Sequence, residues 1–511
     1  MADRKTDRKH LFGTSDSSDF ILNMTDAGAK KFCAMFCIIA MILIEAVALP
    51  YYLTKKVVDY KEEIMGVTVE HYVSEKVIYW ASVVMFGIGL LGLSVFLIGK
   101  MKKQFVLKDN KALLWLVGVI VMSFISALAA EDLMYAMTGY QDRAEGMLTL
   151  LGYYGFFAAA FTVVAENWRV RICGTIIGIG ALNAVIGILQ VIPALRGKIP
   201  NWFDVLKTHP EESINISLDV DVPAANGLAM APHALAGLLT VTFAVAFTAF
   251  IFAKKPLYKA LSGVSAILMV VAGLYTRTAT ALIGLSTAAV LVFVVAVIAA
   301  FKNTADSEEN IGSSKKSIAL ACIGLAAAVG AGLVMNFTDQ LKFYDEEVIR
   351  ADSERMLMLM RREDESMWVY PYLWDEGLYI SEDNIALGTG PDNFGKMLDL
   401  GAVIDRSYNE YIDVAMQRGW ITLGLYVIFL LVTVGKAFKA LAMFIRREVN
   451  WAAAAVFSAV LAYLVQAFFN VSALTSTPFF FICAGLVWSY GAKMTIAEKN
   501  EKKKSRSGDD A

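Results

Sequence analysis

Apolar residues in this chain occur in long blocks and not in the short alternating runs of water-soluble sheet proteins. A helix that crosses a bilayer needs about 20 mostly apolar residues. Segments of that kind occur at 33–53, 78–98, 112–130, 147–165, 172–193, 234–253, 260–276, 279–300, 318–336, 420–435, 451–470 and 475–492. The pattern predicts an all-α polytopic membrane protein with about twelve transmembrane helices. The segments 260–276 and 279–300 nearly merge, so a total of eleven or thirteen spans is also compatible with the pattern.

The polar segments between these blocks divide the chain into five parts. We expect a cytoplasmic segment at 1–32, transmembrane helices 1–9 within 33–336, a large extracytoplasmic loop at 337–419, helices 10–12 within 420–492 and a basic cytoplasmic tail at 493–511. A loop that long inside a compact protein is usually functional or disordered. This loop contains tryptophans, tyrosines and apolar residues at helical spacing, which favours a folded, helical loop.

The composition narrows the functional class. Of the 511 residues, 57% are hydrophobic and 18% are charged, whereas an average soluble domain has about 25% charged residues. A net charge of −2 gives no sign of nucleic-acid binding. The five cysteines and four histidines are not spaced as metal ligands, and no glycine-rich nucleotide-binding pattern occurs, so we predict no metal and no cofactor.

The positions of lysine and arginine predict the orientation. If the N-terminus is cytoplasmic, the inner segments hold 29 of the 46 Lys and Arg residues, as the positive-inside rule requires. Both termini are then cytoplasmic in a cell membrane. The outer segment 337–418 has 18 Asp and Glu against 8 Lys and Arg, so the long loop is acidic. Chemistry is expected on the outer face.

Three arginines are candidates for binding an anion there. Arg277 lies between two apolar blocks, Arg355 precedes an apolar stretch in the long loop, and Arg143 lies in a short outer loop. A guanidinium group binds phosphate oxygens in a bidentate manner. The alternatives are snorkelling of Arg277 to the lipid headgroups and local ion pairs for Arg143 and Arg355.

Two polar motifs in the long loop are further candidates. A glycine-rich turn runs from Gly388 through Gly390 to Asn393, and its backbone N–H groups could approach a phosphate, although ordinary turns have the same composition. The run Tyr408, Asn409, Glu410 leads into a transmembrane segment, where polar side chains can face a headgroup or simply cap a helix.

These motifs occur in an order that resembles the O-antigen ligase/polymerase family of bacterial membrane glycosyltransferases. The resemblance extends over about 110–490 and is strongest over 270–430. It rests on Arg143-Ala144-Glu145-Gly146, Asn226-Gly227-Leu228-Ala229, Thr276-Arg277-Thr278-Ala279, Ser353-Glu354-Arg355, Gly388-Thr389-Gly390 with Asn393-Phe394, and Tyr408-Asn409-Glu410-Tyr411-Ile412.

The resemblance implies transfer of a saccharide from a polyprenyl (undecaprenyl) diphosphate carrier to a glycan, lipid or protein acceptor. Arg277 and Arg355 match the diphosphate-facing arginines of the family, and Arg143 matches a further family position. Gly388, Gly390, Asn393 and Asn409 are then expected to contact substrate. The partners implied are the lipid-linked donor, the acceptor and membrane lipids, without metal or nucleic acid.

Tyr408 departs from the family pattern, which has a histidine at this position before Asn409. A phenol has an ordinary pKa of about 10 and is a poor base near neutral pH. Either Tyr408 only orients the acceptor while Glu410 or Asp405 takes the proton, or the reaction needs little base, or the protein is an altered member. We predict an active transferase with Tyr408 and Glu410 in the catalytic site.

Two other functions are compatible with the sequence. A polymerase that joins repeat units on lipid carriers would share every motif with a ligase, so the sequence does not separate them. A transporter or flippase for lipid-linked saccharides is the alternative from a different class. Transporters often contain two related halves, and no internal repeat is visible here.

Overall fold

The computed structural model describes residues 26–54, 58–64, 67–101, 113–139, 144–195, 199, 224–229, 231–276, 278–306, 319, 322, 384–393 and 407–491. The predicted site residues Arg143, Arg277 and Arg355 lie outside the described residues. So do almost all of the apolar segment 318–336, most of the loop 337–419 and the tail 493–511.

The described part of the chain is mainly helical. Its α-helices are α1 (Asp26–Thr54), α2 (Val73–Met101), α3 (Leu113–Ala129), α4 (Leu133–Thr138), α5 (Met147–Phe161), α6 (Glu166–Val191), α7 (Pro232–Phe252), α8 (Pro256–Tyr275), α9 (Ala279–Asp306), α10 (Glu410–Arg418), α11 (Trp420–Ile445), α12 (Ala452–Gln466) and α13 (Thr477–Ser489). Short 3₁₀ turns follow α6 at Pro193–Leu195 and α12 at Ala467–Phe469. Between α1 and α2, strands β1 (Val58–Ile64) and β2 (Val67–Tyr72) form an antiparallel hairpin with Ile64 opposite Val67.

The chain is a helical membrane protein. Helices lie at eleven of the twelve predicted apolar segments, and the twelfth, 318–336, falls almost wholly outside the described residues. Within the described ranges, six stretches are long and apolar enough to cross a bilayer: Glu166–Val191, Pro232–Phe252, Pro256–Tyr275, Thr280–Lys302, Trp420–Ile445 and Ala452–Phe469. Large apolar side chains are exposed along α3, α8, α9 and α11, including Leu114, Leu261, Val290 and Leu431, as expected of surfaces that contact lipid.

Helix α7 is the centre of the bundle. It is apolar around its whole circumference, and nearly all of its residues are buried. It packs against α6, α8, α9, α12 and α13, so other helices cover most of its surface. A helix that is apolar on every side is expected in such a buried position.

Helices α2 and α5 approach each other through glycines. A Cβ atom added at Gly89 would lie 2.3 Å from the Cα of Gly152, and one added at Gly155 would lie 2.1 Å from the carbonyl oxygen of Gly89. Small residues allow helix backbones in a membrane to come this close and gain van der Waals contact. The packing of α2 on α5 therefore depends on the absence of side chains at these positions.

Replacing Gly155 with valine is expected to destabilise the protein, because the new side chain would overlap the backbone of α2. Overpacking of a tight interface costs about 1–3 kcal/mol. Gly178→Val on α6 is the matched control, since a Cβ atom there meets nothing within 4 Å. Thermal unfolding in detergent, followed by tryptophan fluorescence, should give a lower Tm for Gly155→Val than for Gly178→Val. Equal Tm values would contradict the glycine contact.

The bundle has two chemically different ends. One end, which we call the basic end, contains the starts of α6, α8 and α12 and the C-terminus of α11. Its exposed charged residues include Arg171, Lys254, Lys255, Arg446 and Arg447. The opposite end, the site end, contains the starts of α5, α7, α9, α10 and α13, and most of the predicted motifs.

A buried arginine ties α6 to α13 at the basic end. Only 4% of Arg169 is exposed. Its Nε atom lies 3.1 Å from the carbonyl oxygen of Val163 and 3.0 Å from Ser489 Oγ, and its Nη2 donates to the Ser489 carbonyl at 2.7 Å. The guanidinium group also pairs with Glu166 and lies 3.9 Å from the centre of the Tyr490 ring.

Candidate functional site

Segments that are far apart in sequence are joined by hydrogen bonds at the site end. The side-chain amide of Asn470 donates to the carbonyl of His233 at 3.1 Å, and the N–H of Ala225 donates to the carbonyl of Tyr275 at 2.8 Å. Gln466 at the end of α12 donates to the carbonyl of Thr280 at 3.2 Å. The loops before α7, between α8 and α9, and between α12 and α13 therefore form one polar surface.

Glu145, in the motif before α5, connects two more of these loops. It is 5% exposed, and its carboxylate accepts hydrogen bonds from the Tyr153 hydroxyl at 2.6 Å and the Ser472 hydroxyl at 3.1 Å. Its backbone N–H donates to Asp392 in the glycine-rich turn at 3.3 Å. Glu145 and Ser472 are 327 positions apart, so no local sequence signal predicts their contact.

Glu410 at the start of α10 is held between α11 and α12. Tyr426 donates to its Oε1 and Tyr463 to its Oε2, each at 2.9 Å. Burial raises the pKa of this carboxyl group above its ordinary value of 4.5, against the lowering effect of the two phenol donors. Because both oxygens are already bonded within the protein, this geometry fits a residue that positions α10. The role of proton acceptor stays a prediction.

The raised pKa of Glu410 gives a pH-dependent contribution to stability. The folded state holds the proton more tightly than the unfolded state, so the stability of the folded state falls as the pH rises above about 4.5. The neutral variant Glu410→Gln does not ionise, so it lacks this pH-dependent contribution to stability. We expect its Tm, measured in detergent between pH 4.5 and 8, to fall less with rising pH than that of the wild type. Parallel curves would contradict a buried Glu410.

Asn409 caps the N-terminus of α10. Its Oδ1 accepts hydrogen bonds from the N–H groups of Tyr411 and Ile412 at 3.1 and 3.2 Å. Before it, Ser407 is held by Asp413, which accepts a hydrogen bond from the Ser407 N–H at 2.9 Å. Capping, one of the two sequence interpretations of this motif, is therefore present, while the predicted contact of Asn409 with substrate stays a prediction.

The glycine-rich turn docks on the C-terminal end of α10. The N–H of Thr389 donates to the carbonyl of Met416 at 3.0 Å, and the N–H of Gly390 donates to that of Gln417 at 2.8 Å. The N–H of Gly388 is bonded to the carbonyl of Asn384 at 2.7 Å. These backbone donors are occupied within the chain. The interpretation of the turn as a phosphate cradle stays a prediction.

Glycine is nevertheless required in this turn for packing. Gly388 and Gly390 have φ angles of +69° and +98°, which side-chain-bearing residues rarely adopt. A Cβ atom at Gly390 would lie 2.5 Å from the Cβ of Ala130. Asn393 closes the turn, and its Oδ1 is buried without a hydrogen-bond partner among the described residues. The substrate-binding assignment of these three residues stays a prediction.

The loop 224–229 is fixed from the side by α1 and α6. Gln190 Oε1 accepts from the N–H groups of Asn226 and Gly227 at 3.1 and 2.9 Å. Asn183 accepts from the N–H of Leu228 at 2.8 Å and donates to Glu45 on α1 at 2.9 Å. Glu45 therefore supports a motif loop through Asn183.

Strained backbone is concentrated at the site end. Ala144, Asp392 and Tyr408 have φ angles of +53°, +60° and +54°, which are uncommon for residues with side chains. The ring of Tyr408 lies against the imidazole of His233, with 5.2 Å between ring centres. Such strain persists only where the surrounding structure fixes it, and it occurs preferentially at functional sites.

An apolar cavity adjoins the polar surface. Its volume is about 470 Å³, and it opens beside the start of α11. Its walls are formed by Asn409, Tyr411, Ile412, Ala415, Trp420, Leu423, Phe468 and Phe469. The lining joins the amide of Asn409, which caps α10, to apolar side chains. Two of these, Trp420 and Phe468, are about half exposed.

The described charges at the site end are mainly acidic. Arg418, at the C-terminal end of α10, donates to the Tyr154 hydroxyl at 3.3 Å. The same described ranges contain no cluster of three or more His, Cys, Asp or Glu side chains suited to a metal ion. The structure thus brings together Tyr408, Asn409 and Glu410 and the glycine-rich turn, and it adds His233 and Glu145.

No model of a known protein family matches the chain, and no curated protein matches it either.

Proposed function

We propose that the protein is a membrane glycosyltransferase of the O-antigen ligase type, acting on a polyprenyl-diphosphate-linked saccharide. The observation that carries the proposal is the convergence of the motif segments at one end of the bundle. Glu145 bonds there to both Asp392 and Ser472, while Glu410 begins the nearby helix α10 and Asn409 caps it. Each motif is short and degenerate in sequence, so the lining up of several motifs on one surface supports the proposal more strongly than any single motif.

The reaction would proceed without a metal. An acceptor hydroxyl attacks the anomeric carbon, the glycosidic bond to the diphosphate breaks, and the lipid diphosphate leaves with the electron pair. Negative charge develops on the leaving group, which preorganised cations stabilise. We assign this role to Arg277 and Arg355, with Arg143 as a further contact, because the described groups at the site end are predominantly acidic and do not meet the need.

The apolar cavity supports a lipid-linked donor. A polyprenyl chain needs an apolar surface that continues into the bilayer, while its diphosphate needs the polar surface. The cavity meets both conditions, since Asn409 lies in its lining together with Trp420 and Phe468. We propose that the isoprenoid chain lies along this cavity.

We further propose the complete topology that the sequence predicts. It has twelve spans, both termini in the cytoplasm, and the site end on the outer face with the long loop 337–419 above it. The basic end would then face the cytoplasm, in keeping with its lysines and arginines. In this arrangement the enzyme acts where lipid-linked saccharides are presented for assembly of cell-surface glycans.

The glycan profile of cells that lack the protein tests this proposal. We expect the lipid-linked donor to accumulate, and the accumulated species identifies the activity. Full-length chains on the carrier indicate a ligase, whereas single repeat units indicate a polymerase. Expression of the wild-type protein should restore the profile. A carrier pool and a glycan profile that do not change on deletion would overturn the proposal.

A further inference from the structure

His233 lies beside Tyr408 although 175 positions separate them in sequence. It is the second residue of α7, directly after Pro232. Its backbone carbonyl is fixed by the amide of Asn470, and its ring packs on that of Tyr408 at 5.2 Å and an angle of 58°. Both side chains are partly exposed, so the imidazole is at the surface of the site and not within the core.

The backbone of Tyr408 is held in the conformation that makes this contact. With φ at +54°, a tyrosine is in a region that glycine or asparagine occupies more easily. Anchors lie on both sides: Ser407 is bonded to Asp413, and Asn409 caps α10. The fold thus imposes this strained conformation, and it places the phenol ring against the imidazole.

The proposed transfer needs a group that accepts the proton of the acceptor hydroxyl. An unperturbed imidazole, with a pKa near 6.5, does this at neutral pH far better than a phenol. Glu410 is less suited, because both of its oxygens accept hydrogen bonds from Tyr426 and Tyr463. The imidazole of His233 lies at this end of the bundle, against the ring of Tyr408.

We infer that His233 is the general base of the proposed glycosyl transfer and that Tyr408 holds its ring in place. This inference rests on the proposed function. As the acceptor oxygen forms its bond to the anomeric carbon, its proton passes to a ring nitrogen of His233. The bond between the anomeric carbon and the diphosphate oxygen breaks, and the electron pair leaves with the diphosphate.

The test measures formation of the glycosidic bond in lipid vesicles that contain purified protein, a polyprenyl-diphosphate disaccharide and an acceptor glycan. General-base catalysis contributes about 100-fold or more, so His233→Ala and His233→Gln should each lose about that factor. Added imidazole should restore at least about tenfold activity to His233→Ala, because the small variant leaves space for it. His10→Ala, which changes a histidine in the N-terminal segment, should retain the wild-type rate.

Two further variants separate a chemical role from a structural one. Asn470→Ala displaces the backbone of His233 without removing the base, and Tyr408→Ala removes its packing partner. Both variants should lower the rate less than His233→Ala does. Added imidazole should not restore the rate of either variant. A wild-type rate in His233→Ala, or a loss that imidazole does not relieve, overturns the inference. If the wild-type protein forms no glycosidic bond, it is the proposed function that fails.

Discussion

Replacing Arg277 or Arg355 with alanine is expected to lower glycosyl transfer by about 100- to 1,000-fold, the usual cost of removing one preorganised group that stabilises transition-state charge. The described residues on either side of position 277 are fixed at the site: the Tyr275 carbonyl accepts from Ala225, and the Thr280 carbonyl accepts from Gln466. The rate of lipid-diphosphate release from reconstituted protein is the measurement.

The control for this prediction is an arginine at the other end of the bundle. Arg446 is exposed at the basic end, so Arg446→Ala should retain the wild-type rate. Arg277→Lys should give an intermediate rate, because an ammonium group keeps the charge but loses bidentate binding of the diphosphate. If Arg277→Ala and Arg355→Ala both release diphosphate at the wild-type rate, the anion site has been assigned to the wrong residues.

Replacing Arg169 with methionine is expected to give the largest loss of stability, about 3 kcal/mol. Hydrogen bonds from a charged donor contribute about 1.5–3 kcal/mol each, and the variant leaves the carbonyls of Val163 and Ser489 without this donor. The link between α6 and α13 is lost with them. Thermal unfolding in detergent should show a fall in Tm of several degrees.

Arg171 provides a matched control two residues along the same helix. It is exposed, and its guanidinium group lies over the ring of Trp168, 4.4 Å from the ring centre. Because an exposed interaction of this kind contributes about 0.5–1 kcal/mol, Arg171→Met should change the Tm little. Equal Tm values for Arg169→Met and Arg171→Met would show that the buried network does not hold the two helices together.

The sequence predicts the helices well because their signal is local. An apolar run such as that of α7 can only be a buried or lipid-facing helix, whatever lies elsewhere in the chain. The glycine contacts between α2 and α5 were not predicted, since Gly89 and Gly155 have no feature that distinguishes them from open positions such as Gly178. Only the three-dimensional approach of the two helices identifies them.

The site was predicted in its parts and not in its arrangement. Tyr408 and Glu410 were named from their motif, but the partners that define their surroundings lie on other helices. His233 was set aside as one of four scattered histidines, and Glu145 was named only as part of its motif. Side chains separated by 175 or 327 residues leave no periodic pattern, so only folding brings them together.

The central claim is that the protein breaks the bond between a saccharide and its lipid diphosphate. The most direct measurement uses purified protein in vesicles with a labelled polyprenyl-diphosphate saccharide and an acceptor glycan. It quantifies the lipid diphosphate released and the glycosidic bonds formed. We predict one lipid diphosphate released for each glycosidic bond formed. Movement of the labelled saccharide across the bilayer with its bond to the carrier intact would contradict the claim and identify a transporter.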